Sequence, residues 1–584
     1  MYDISMSDSL KLGGARRATA VQMVEALAET PAAAETPSLA MPLGPRSQGA
    51  DKAELGHGGA RHGVAALRSS TSPAALSAAK AELAKAKLAA PIDLRRQIMA
   101  DPRVQAALAR VPGMRALKLE QLSPRTIELG ALGATETAKL LKSGKLTATE
   151  VVSAAIERAK AGEHLGLVDH PLYAEALAAA KQMDADKAFD KPFSGVPMVI
   201  KANVKLEGAP TSYGSRSTPD TANHETSPHL KDYLDLGIIP IFLGTTSEFG
   251  FNGVTEPVGK PPTRNPHNPE HTAGGSSGGS AVAVASGIVP FAHGTDGGGS
   301  CRIPASLTGI IGYKPSRARL KLLDGAEKLP VIINTPGVLA RNPEDVTRAM
   351  KLLDNGKAAG MGPLGDVSKP PSRPLKIAYY VDPLGGKAES ETRAAMLDMV
   401  DRLLGLGHTV TELEKPPYTQ KFIDDFLAVY RVIAWAVGNK LEKGATTDAS
   451  KLEPFSKGLG DRNMLQALWT KYVNSGRIKG QHTKRYEEVF EEHDLLLNPT
   501  VPGDAPRIGE LSPAQSYDQM IDKLMDLVQY TPLQNGTGGP AVSIPAGKSD
   551  DGLPLGLQFS AKPGADTVLL QMVHQVASEK SPGR

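Results

Sequence analysis

Short apolar segments alternate with helical segments over most of the chain, and this alternation constrains the fold more than any other feature. Runs rich in Val, Ile and Leu occupy residues 195–204, 237–246, 374–382, 493–502 and 539–547. Apolar strands that are separated by helices form sheets that helices cover on both faces. The pattern therefore predicts an α/β protein, and a length of 584 residues leaves room for a large core.

A pair of helices is predicted before the first of these strands. Residues 133–162 contain two amphipathic stretches that Gly144 and Lys145 separate. Thr147 and Glu150 have the spacing of a capping box, in which each side chain accepts a hydrogen bond from the backbone N–H of the other residue at a helix start. We therefore expect the second helix to begin at Thr147.

The amino-terminal part has a different composition. Residues 1–70 are rich in Ala, Ser, Gly and Pro without a sustained period, which predicts a disordered tail. Residues 71–125 are rich in Ala, Leu and Lys and predict short helices that Pro91 and Pro102 interrupt. Residues 126–584, which contain the alternating pattern, remain as a third, large domain.

Composition excludes several classes of function. The 66 Lys and Arg residues nearly balance the 63 Asp and Glu residues and are scattered, so we expect no nucleic-acid or anionic-membrane partner. Cys301 is the single cysteine, which excludes an internal disulfide, and no Cys/His spacing fits zinc, so we expect no metal or cofactor. Residues 278–292 are too short and too polar for a transmembrane helix.

The expected location follows from the first residues of the chain. Residues 1–20 lack the apolar core of a secretory signal, so we expect a cytoplasmic protein. Export by a route other than the Sec pathway, directed by the tail, is the alternative.

The densest chemical signal lies in residues 271–316, where two Gly/Ser-rich turns, 274–280 and 297–300, flank a segment that we interpret as one helix. A phosphate-binding loop is excluded because no Lys follows in the required register. Residues 274–278 match the G-x-S-x-G nucleophile elbow, and Asp494 and His574 have the chain order of its partners. That interpretation is disfavoured because polar loop residues, and no apolar strand, precede the turn.

The third interpretation is a serine–serine–lysine site. The segments GGSSGG at 274–279, GTDGGGSCRIPAS at 294–306 and GYKPS at 312–316 resemble the amidase signature family of serine amidohydrolases. The resemblance extends from about residue 130 to the carboxyl terminus and implies that residues 126–584 form the amidase catalytic domain. It implies the family's fold, a large mixed, mostly parallel twisted β-sheet covered on both faces by helices.

The resemblance also implies roles for individual residues. Ser300 matches the nucleophile, Ser276 the bridging serine at a cis peptide bond, and Lys201 the base. The implied oxyanion hole consists of backbone N–H groups, those of Gly297, Gly298, Gly299 and Ser300. The chemistry is consistent with these roles, because a lysine acts as a base only when its amine is neutral, and burial after an apolar run favours the neutral form.

Neighbouring residues receive structural interpretations. We expect Asp296 and Arg302 to brace the nucleophile turn and Cys301 to be a packed side chain rather than a nucleophile, since the motif supplies no His. Loop scaffolding is expected of residues 245–248, which include Thr245, Ser247 and Glu248. Ala202 departs from the family, which usually has an acidic residue directly after the lysine.

The function implied by the resemblance is a metal-independent serine amidase. Such an enzyme hydrolyses the C–N bond of a small-molecule carboxylic amide to an acid and ammonia or an amine, through an acyl-enzyme on Ser300. Two alternatives stay open: an amidotransferase-type subunit that supplies ammonia, and a secreted effector or binding protein built on the amidase scaffold. In the latter case the amino-terminal tail recruits a partner or a secretion system. A homodimer is also left open.

Overall fold

The computed structural model describes residues 94–356, 360–439 and 448–578. The predicted tail, and residues 71–93 of the predicted helical extension, lie outside the described residues. Residues 94–100 are helical, and a second helix, Pro102–Arg110, begins at Pro102 with the Asp101 side chain accepting a hydrogen bond from the Arg103 N–H. A proline is favourable at a helix start because its missing N–H has no partner there.

One sheet of eleven strands is the centre of the described part of the chain. In the order β1-β3-β2-β4-β6-β5-β10-β11-β9-β7-β8, neighbouring strands are hydrogen-bonded. The strands in chain order, β1 to β11, are Val168–Pro171, Pro197–Lys201, Ile239–Gly244, Phe291–Asp296, Ile311–Lys314, Thr335–Ala340, Lys376–Tyr379, Thr409–Glu412, Leu495–Pro499, Ala541–Lys548 and Pro554–Ser560. The five strands predicted from apolar runs are confirmed as β2, β3, β7, β9 and β10.

The directions of these strands correct one part of the predicted fold. The sheet is mixed, as expected, but among the described strands six of the ten neighbouring pairs are antiparallel, so "mostly parallel" is wrong. Parallel pairs occur in two groups, β3-β2-β4 and β9-β7-β8. The middle of the sheet is antiparallel, and β10 and β11 are joined there by a short turn that needs no crossover helix.

Helices surround the sheet, and central strands such as β2 and β4 are buried along their whole length. The α-helices after the first two are Pro124–Gly130, Ala134–Lys142, Ala148–Ala161, Tyr173–Asp186, Pro228–Asp235, Gly278–Ala285, Arg302–Thr308, Pro343–Leu353, Ser390–Gly405, Gln420–Gly438, Pro454–Leu459, Met464–Trp469, Ser475–Arg477, Thr483–Glu492, Tyr517–Val528, Pro532–Thr537 and Asp566–Ser578. Two π-helical segments, Thr470–Asn474 and Ile478–His482, join the helical run after residue 464. Across the described residues, the structure contains no helix that is both apolar enough and long enough to span a bilayer.

The helix start predicted at Thr147 is confirmed, although its capping differs from the prediction. Thr147 Oγ1 accepts a hydrogen bond from the Glu150 N–H at 3.1 Å. The Glu150 carboxylate instead pairs with the Arg125 guanidinium at 3.0 Å. An ion pair to another helix has thus replaced the second half of the capping box.

The segment between the two Gly/Ser-rich turns is more than the single helix that we expected. It contains the helix Gly278–Ala285 and then strand β4, Phe291–Asp296. Strand β4 runs parallel to β2, and β2 runs parallel to β3. The carboxyl ends of these three neighbouring strands therefore lie at one edge of the sheet, which is where α/β proteins commonly bind ligands.

Candidate active site

Lys201 is the last residue of β2, and its side chain is fully buried. Its Nζ atom lies 2.7 Å from Ser276 Oγ, 3.0 Å from Thr295 Oγ1 and 3.3 Å from the Thr295 carbonyl oxygen. Asn203 donates a further hydrogen bond to Thr295 Oγ1 at 2.9 Å. Burial lowers the pKa of Lys201 to about 8, because desolvation disfavours the ammonium form.

Ser276 reaches Lys201 from the first Gly/Ser-rich turn. The peptide bond between Gly275 and Ser276 is cis, as the family resemblance implied. The turn lies against the loop after β3, where the Gly279 N–H donates to the Thr245 carbonyl oxygen at 3.0 Å. A Cβ atom on Gly279 would lie 2.3 Å from Thr245 N, so only glycine allows this approach.

Ser300 lies in the second turn, and contacts of Ser277 join the two turns. The Ser277 N–H donates to the Ser300 carbonyl oxygen at 3.2 Å, and Ser277 Oγ donates to the Thr295 carbonyl oxygen at 3.3 Å. Exposure rises from Lys201 at 0% through Ser276 at 1% to Ser300 at 8%. The three predicted residues thus come together, with Ser300 nearest to the surface of the site.

A buried ion pair holds the second turn, as we expected of Asp296 and Arg302. Arg302 donates from Nε and Nη2 to the two carboxylate oxygens of Asp296 at 3.0 and 2.8 Å, and both side chains are fully buried. Burial alone would raise the pKa of Asp296, but the charge and hydrogen bonds of Arg302 outweigh it and hold the pKa below its usual range. Arg302 also donates to Gln558 Oε1 at 2.6 Å and to Asn535 Oδ1 at 2.6 Å.

This ion pair changes the predicted oxyanion hole. The Gly299 N–H donates to Asp296 Oδ1 at 2.8 Å, so in this structure it points into the turn and is not available to a substrate. Gly299 has a φ of +123°, and a Cβ atom there would lie 2.2 Å from Thr531 Oγ1. Gly299 therefore shapes the turn, and Gly297, Gly298 and Ser300 remain as candidate donors.

The competing interpretations are not assembled in the structure. Asp494 pairs with Arg373 at 2.6 Å, and His574 Nε2 lies 3.0 Å from Thr347 Oγ1, so the two do not form the elbow's Asp–His pair. Cys301 is fully buried, and burial raises the pKa of its thiol, which disfavours the thiolate. Within the described residues, no cluster of His, Cys, Asp or Glu side chains is arranged to hold a metal ion.

The loop after β3 has the scaffolding contacts that we expected. Thr245 Oγ1 donates to the Gly166 carbonyl oxygen, Ser247 Oγ donates to the Asn252 carbonyl oxygen, and Glu248 accepts from Ser215 Oγ at 2.6 Å. Ala202 is buried, and its N–H donates to the Gly244 carbonyl oxygen, continuing the strand pairing. The hydrogen bonds of Lys201 Nζ among the described residues go to Ser276 and Thr295 and not to these side chains.

Three contributors to the site were not singled out from the sequence. Thr295 accepts from the Lys201 amine, and Asn203 donates to Thr295 Oγ1. Both lie within two residues of Asp296 or Lys201, and that position was an available signal. Tyr430 belongs to the helix Gln420–Gly438, far along the chain, and no motif marks it. Its hydroxyl oxygen lies 2.8 Å from the point where a Cβ atom on Gly298 would be.

A pocket opens beside Ser300, and its empty space, open solvent included, is about 580 Å³. Its walls come from the loop at 250–253, the two turns, and the helices Gln420–Gly438, Pro454–Leu459 and Tyr517–Val528. The site thus has Ser300 in the lining of a pocket, with Ser276 and the buried Lys201 nearby.

Comparison with known proteins gives consistent matches. The model of the family described as Amidase matches residues 150–570. The putative amidase AmiC of Mycobacterium leprae is 38% identical over 460 residues, which are 77% of this chain and 95% of that protein. A glutamyl-tRNA(Gln) amidotransferase subunit of Deinococcus radiodurans is 31% identical over 75% of this chain and 95% of its own length. The solved structure of a bacterial aryl acylamidase has a TM-score of 0.67, with 25% identity over 77% of this chain and 99% of that one.

Proposed function

The chain belongs to the amidase family and is a hydrolase acting on amides, and from that premise we propose that it cleaves a carboxylic amide through an acyl-enzyme on Ser300. The observation that carries the proposal is the contact between Lys201 Nζ and Ser276 Oγ at 2.7 Å, made by a fully buried lysine whose pKa is lowered to about 8. A neutral amine in that place accepts a proton from Ser276.

Acylation begins when Ser300 Oγ attacks the carbonyl carbon of the amide. The Ser300 proton passes to Ser276 Oγ, and the Ser276 proton passes to Lys201 Nζ. The carbonyl oxygen becomes an oxyanion, which the N–H groups of Gly297, Gly298 and Ser300 stabilise by hydrogen bonds. Thr295 accepts a hydrogen bond from Lys201 Nζ and one from Asn203, and these contacts hold the lysine beside Ser276.

Collapse of the tetrahedral intermediate breaks the C–N bond. The lysine ammonium returns its proton through Ser276 to the leaving nitrogen, which departs as ammonia or an amine. A water molecule then attacks the ester carbon and loses its proton along the same path. The carboxylic acid leaves, and Ser300 recovers its hydroxyl proton, so the enzyme returns to its initial state.

The test is active-site labelling with a fluorophosphonate probe and mapping of the labelled peptide by mass spectrometry. We expect the label on Ser300, lost in Ser300→Ala and strongly slowed in Ser276→Ala and Lys201→Met. Ser280→Ala is the matched serine control, because Ser280 is equally buried and donates to the His293 carbonyl oxygen. Lys314→Met is the lysine control, because Lys314 is fully buried on β5 and donates to the Pro315 carbonyl oxygen.

Other outcomes would lead to different conclusions. A label on Ser276 that depends on His574 would support the elbow, and a folded protein that takes no label would support a binding role on the amidase scaffold. Ammonia release by the purified chain alone from simple amides separates an amidase from an amidotransferase-type subunit. The latter would release ammonia only when a partner subunit is added.

A further inference from the structure

The pocket beside Ser300 is lined almost entirely by carbon. Its lining comprises Gly250, Phe251, Asn252, Gly253, Gly275, Gly298, Ser300, Ile303, Phe426, Leu427, Tyr430, Phe455, Leu459, Ile521, Leu524, Met525, Val528 and Pro532. No Asp, Glu, Lys, Arg or His belongs to this lining set. A charged group placed in such a pocket would lose its hydration without gaining a partner. The pocket therefore discriminates strongly against charge.

Three lining residues carry polar side chains, and two of these are already engaged or assigned. Asn252 donates to the Leu511 carbonyl oxygen at 3.1 Å and accepts from the Val254 N–H at 3.3 Å. Ser300 is the nucleophile of the proposed reaction. Tyr430 remains, and its phenol oxygen lies 2.9 and 2.8 Å from the Cβ positions that side chains on Gly297 and Gly298 would occupy.

Resting on the proposed function, we propose that the pocket binds the acyl part of the substrate. The enzyme then prefers amides whose acyl group is uncharged and apolar, an aryl-substituted or medium-chain alkyl group. Tyr430 donates a hydrogen bond to the substrate oxygen that lies against the Gly297–Gly298 turn. The proposed substrates exclude amides whose acyl group ends in a carboxylate or an ammonium.

The acyl part, rather than the amine part, is assigned to the pocket because it stays bonded to Ser300 Oγ after the amine has left. Ser300 itself lines the pocket, together with Gly298. Gly275 and Gly250 also line it, and a Cβ atom on Gly250 would lie 3.2 Å from Ser276 Oγ, so the pocket reaches the Ser276 side as well. The comparison of hexanamide with N-hexylacetamide therefore decides between the two parts.

Tyr430 is suited to donate at the carbonyl end of the pocket. Burial raises the pKa of its phenol well above the ordinary value, so the hydroxyl keeps its proton at all working pH values. Its ring packs against Phe426, with 5.3 Å between the ring centroids, and this contact orients the hydroxyl. The described residues show no hydrogen bond of the Tyr430 hydroxyl, which leaves it available to a substrate.

The experiment measures ammonia release from primary amides. From acetamide to hexanamide, each added methylene is expected to raise kcat/KM about three- to fourfold, on the order of 100-fold in total. Adipamate has the same chain length as hexanamide and ends in a carboxylate, and we expect it to react at least 100-fold more slowly. N-Hexylacetamide carries the chain on nitrogen, and we expect it to be a poor substrate. Its hydrolysis is measured by the release of hexylamine.

Variants of one helix test whether the pocket is responsible. Met525 lines the pocket, so Met525→Glu should lower kcat/KM for hexanamide about 30-fold and for acetamide less than threefold. Lys523→Gln is the control, because Lys523 is exposed on the same helix, does not line the pocket, and changes the net charge equally. Met525→Lys should raise activity toward adipamate.

Each contrary result is informative. Rates that do not depend on acyl length, or a preference for adipamate, would overturn the proposal, and a preference for N-hexylacetamide would assign the pocket to the amine part. Equal losses of acetamide and hexanamide turnover in Met525→Glu would also contradict it. In all these cases the fluorophosphonate label on Ser300 shows whether the proposed function itself still holds.

Discussion

The proposed catalytic centre and the pocket beside it are built in opposite ways. Lys201, Ser276 and Ser300 come from three short motifs at the carboxyl ends of β2 and β4 and the turn between them, and Lys201 Nζ donates a hydrogen bond to Ser276 Oγ. The pocket wall comes from segments as far apart as residues 250 and 532, and most of its side chains are apolar. Short motifs thus hold the residues of the proposed chemistry, whereas the proposed selectivity depends on packing between distant segments.

The largest expected effect is at the base. Lys201→Met removes the group proposed to accept the Ser276 proton, and we expect kcat to fall at least 10³-fold with acetamide and hexanamide alike. Equal losses for the two substrates would mean that Lys201 acts in the reaction and not in binding the acyl chain. A loss confined to hexanamide would mean that Lys201 contributes to the pocket, and the distinction between the two regions would be wrong.

The same lysine predicts the pH dependence of the reaction. Because only the neutral amine acts as a base, kcat/KM should rise tenfold per pH unit below the Lys201 pKa of about 8 and level off above it. The profile should be the same in Met525→Glu, since that change leaves Lys201 untouched. A profile that is flat between pH 6 and 8 would exclude Lys201 as the titrating group.

A double substitution tests the point at which the two regions meet. In Gly298→Ala the new Cβ atom would lie 2.8 Å from the Tyr430 hydroxyl oxygen and 3.4 Å from Tyr430 Cζ. We expect about a 100-fold loss of kcat, because either the turn or the tyrosine must move. Gly298→Ala combined with Tyr430→Phe removes the closest contact and should recover about tenfold, to the level of Tyr430→Phe alone, whereas a double variant no better than Gly298→Ala would contradict the contact.

Tyr430→Phe alone should have a smaller effect. Loss of one hydrogen bond to an oxygen whose charge grows in the transition state is expected to lower kcat about tenfold and to leave KM within twofold. Steady-state kinetics with hexanamide measure the two parameters, and an unchanged melting temperature excludes a packing defect. A rise in KM at constant kcat would show that Tyr430 contributes only to ground-state binding.

The sequence predicted which residues of the proposed centre come together because each motif is short and continuous. The apolar run before Lys201, the glycines around Ser276 and the Asp296–Arg302 pair are each local in the chain, and the family resemblance supplied the roles expected of them. The direction of the middle strands was missed, since an apolar run indicates a strand and not its partner. Donation by Gly299 to Asp296 was missed because a run of glycines does not reveal which N–H points inward.

The pocket could not be predicted for a related reason. Ile521, Leu524, Met525 and Val528 have helical spacing and mark one apolar face, and Phe426 and Tyr430 do the same on another helix. An apolar face has the same pattern whether it packs against a core or encloses a cavity. Only the tertiary arrangement shows that these two faces leave a space between them next to Ser300.

A buried pair of carboxyl groups connects the loop after β3 to the pocket wall. Glu248 follows β3, and Glu453 precedes the helix Pro454–Leu459, which contributes Phe455 and Leu459 to the pocket. Glu248 Oε2 accepts from the Glu453 N–H at 2.9 Å, and Glu453 Oε1 accepts from the Val258 N–H at 2.7 Å. Burial, together with the charge of Glu248, raises the pKa of Glu453 from 4.5 to about 8, and the attraction of Arg216 does not outweigh this.

The smallest effect that we predict is on stability and arises from this pair. The folded protein holds a proton on Glu453 that the unfolded chain releases above pH 4.5, so the free energy of unfolding falls as the pH rises from 4.5 toward 8. Glu453→Gln puts an uncharged side chain of the same shape at this position and keeps the backbone N–H that donates to Glu248. The change should raise the melting temperature by about 2 °C or more at pH 8 and leave it unchanged at pH 5. Glu491→Gln, an exposed glutamate, is the control and should have no effect at either pH. A difference in melting temperature between the wild type and Glu453→Gln that stays the same from pH 5 to pH 8 would mean that Glu453 does not titrate in this range. The contact between the loop after β3 and the pocket wall would then contribute nothing to the pH dependence of stability.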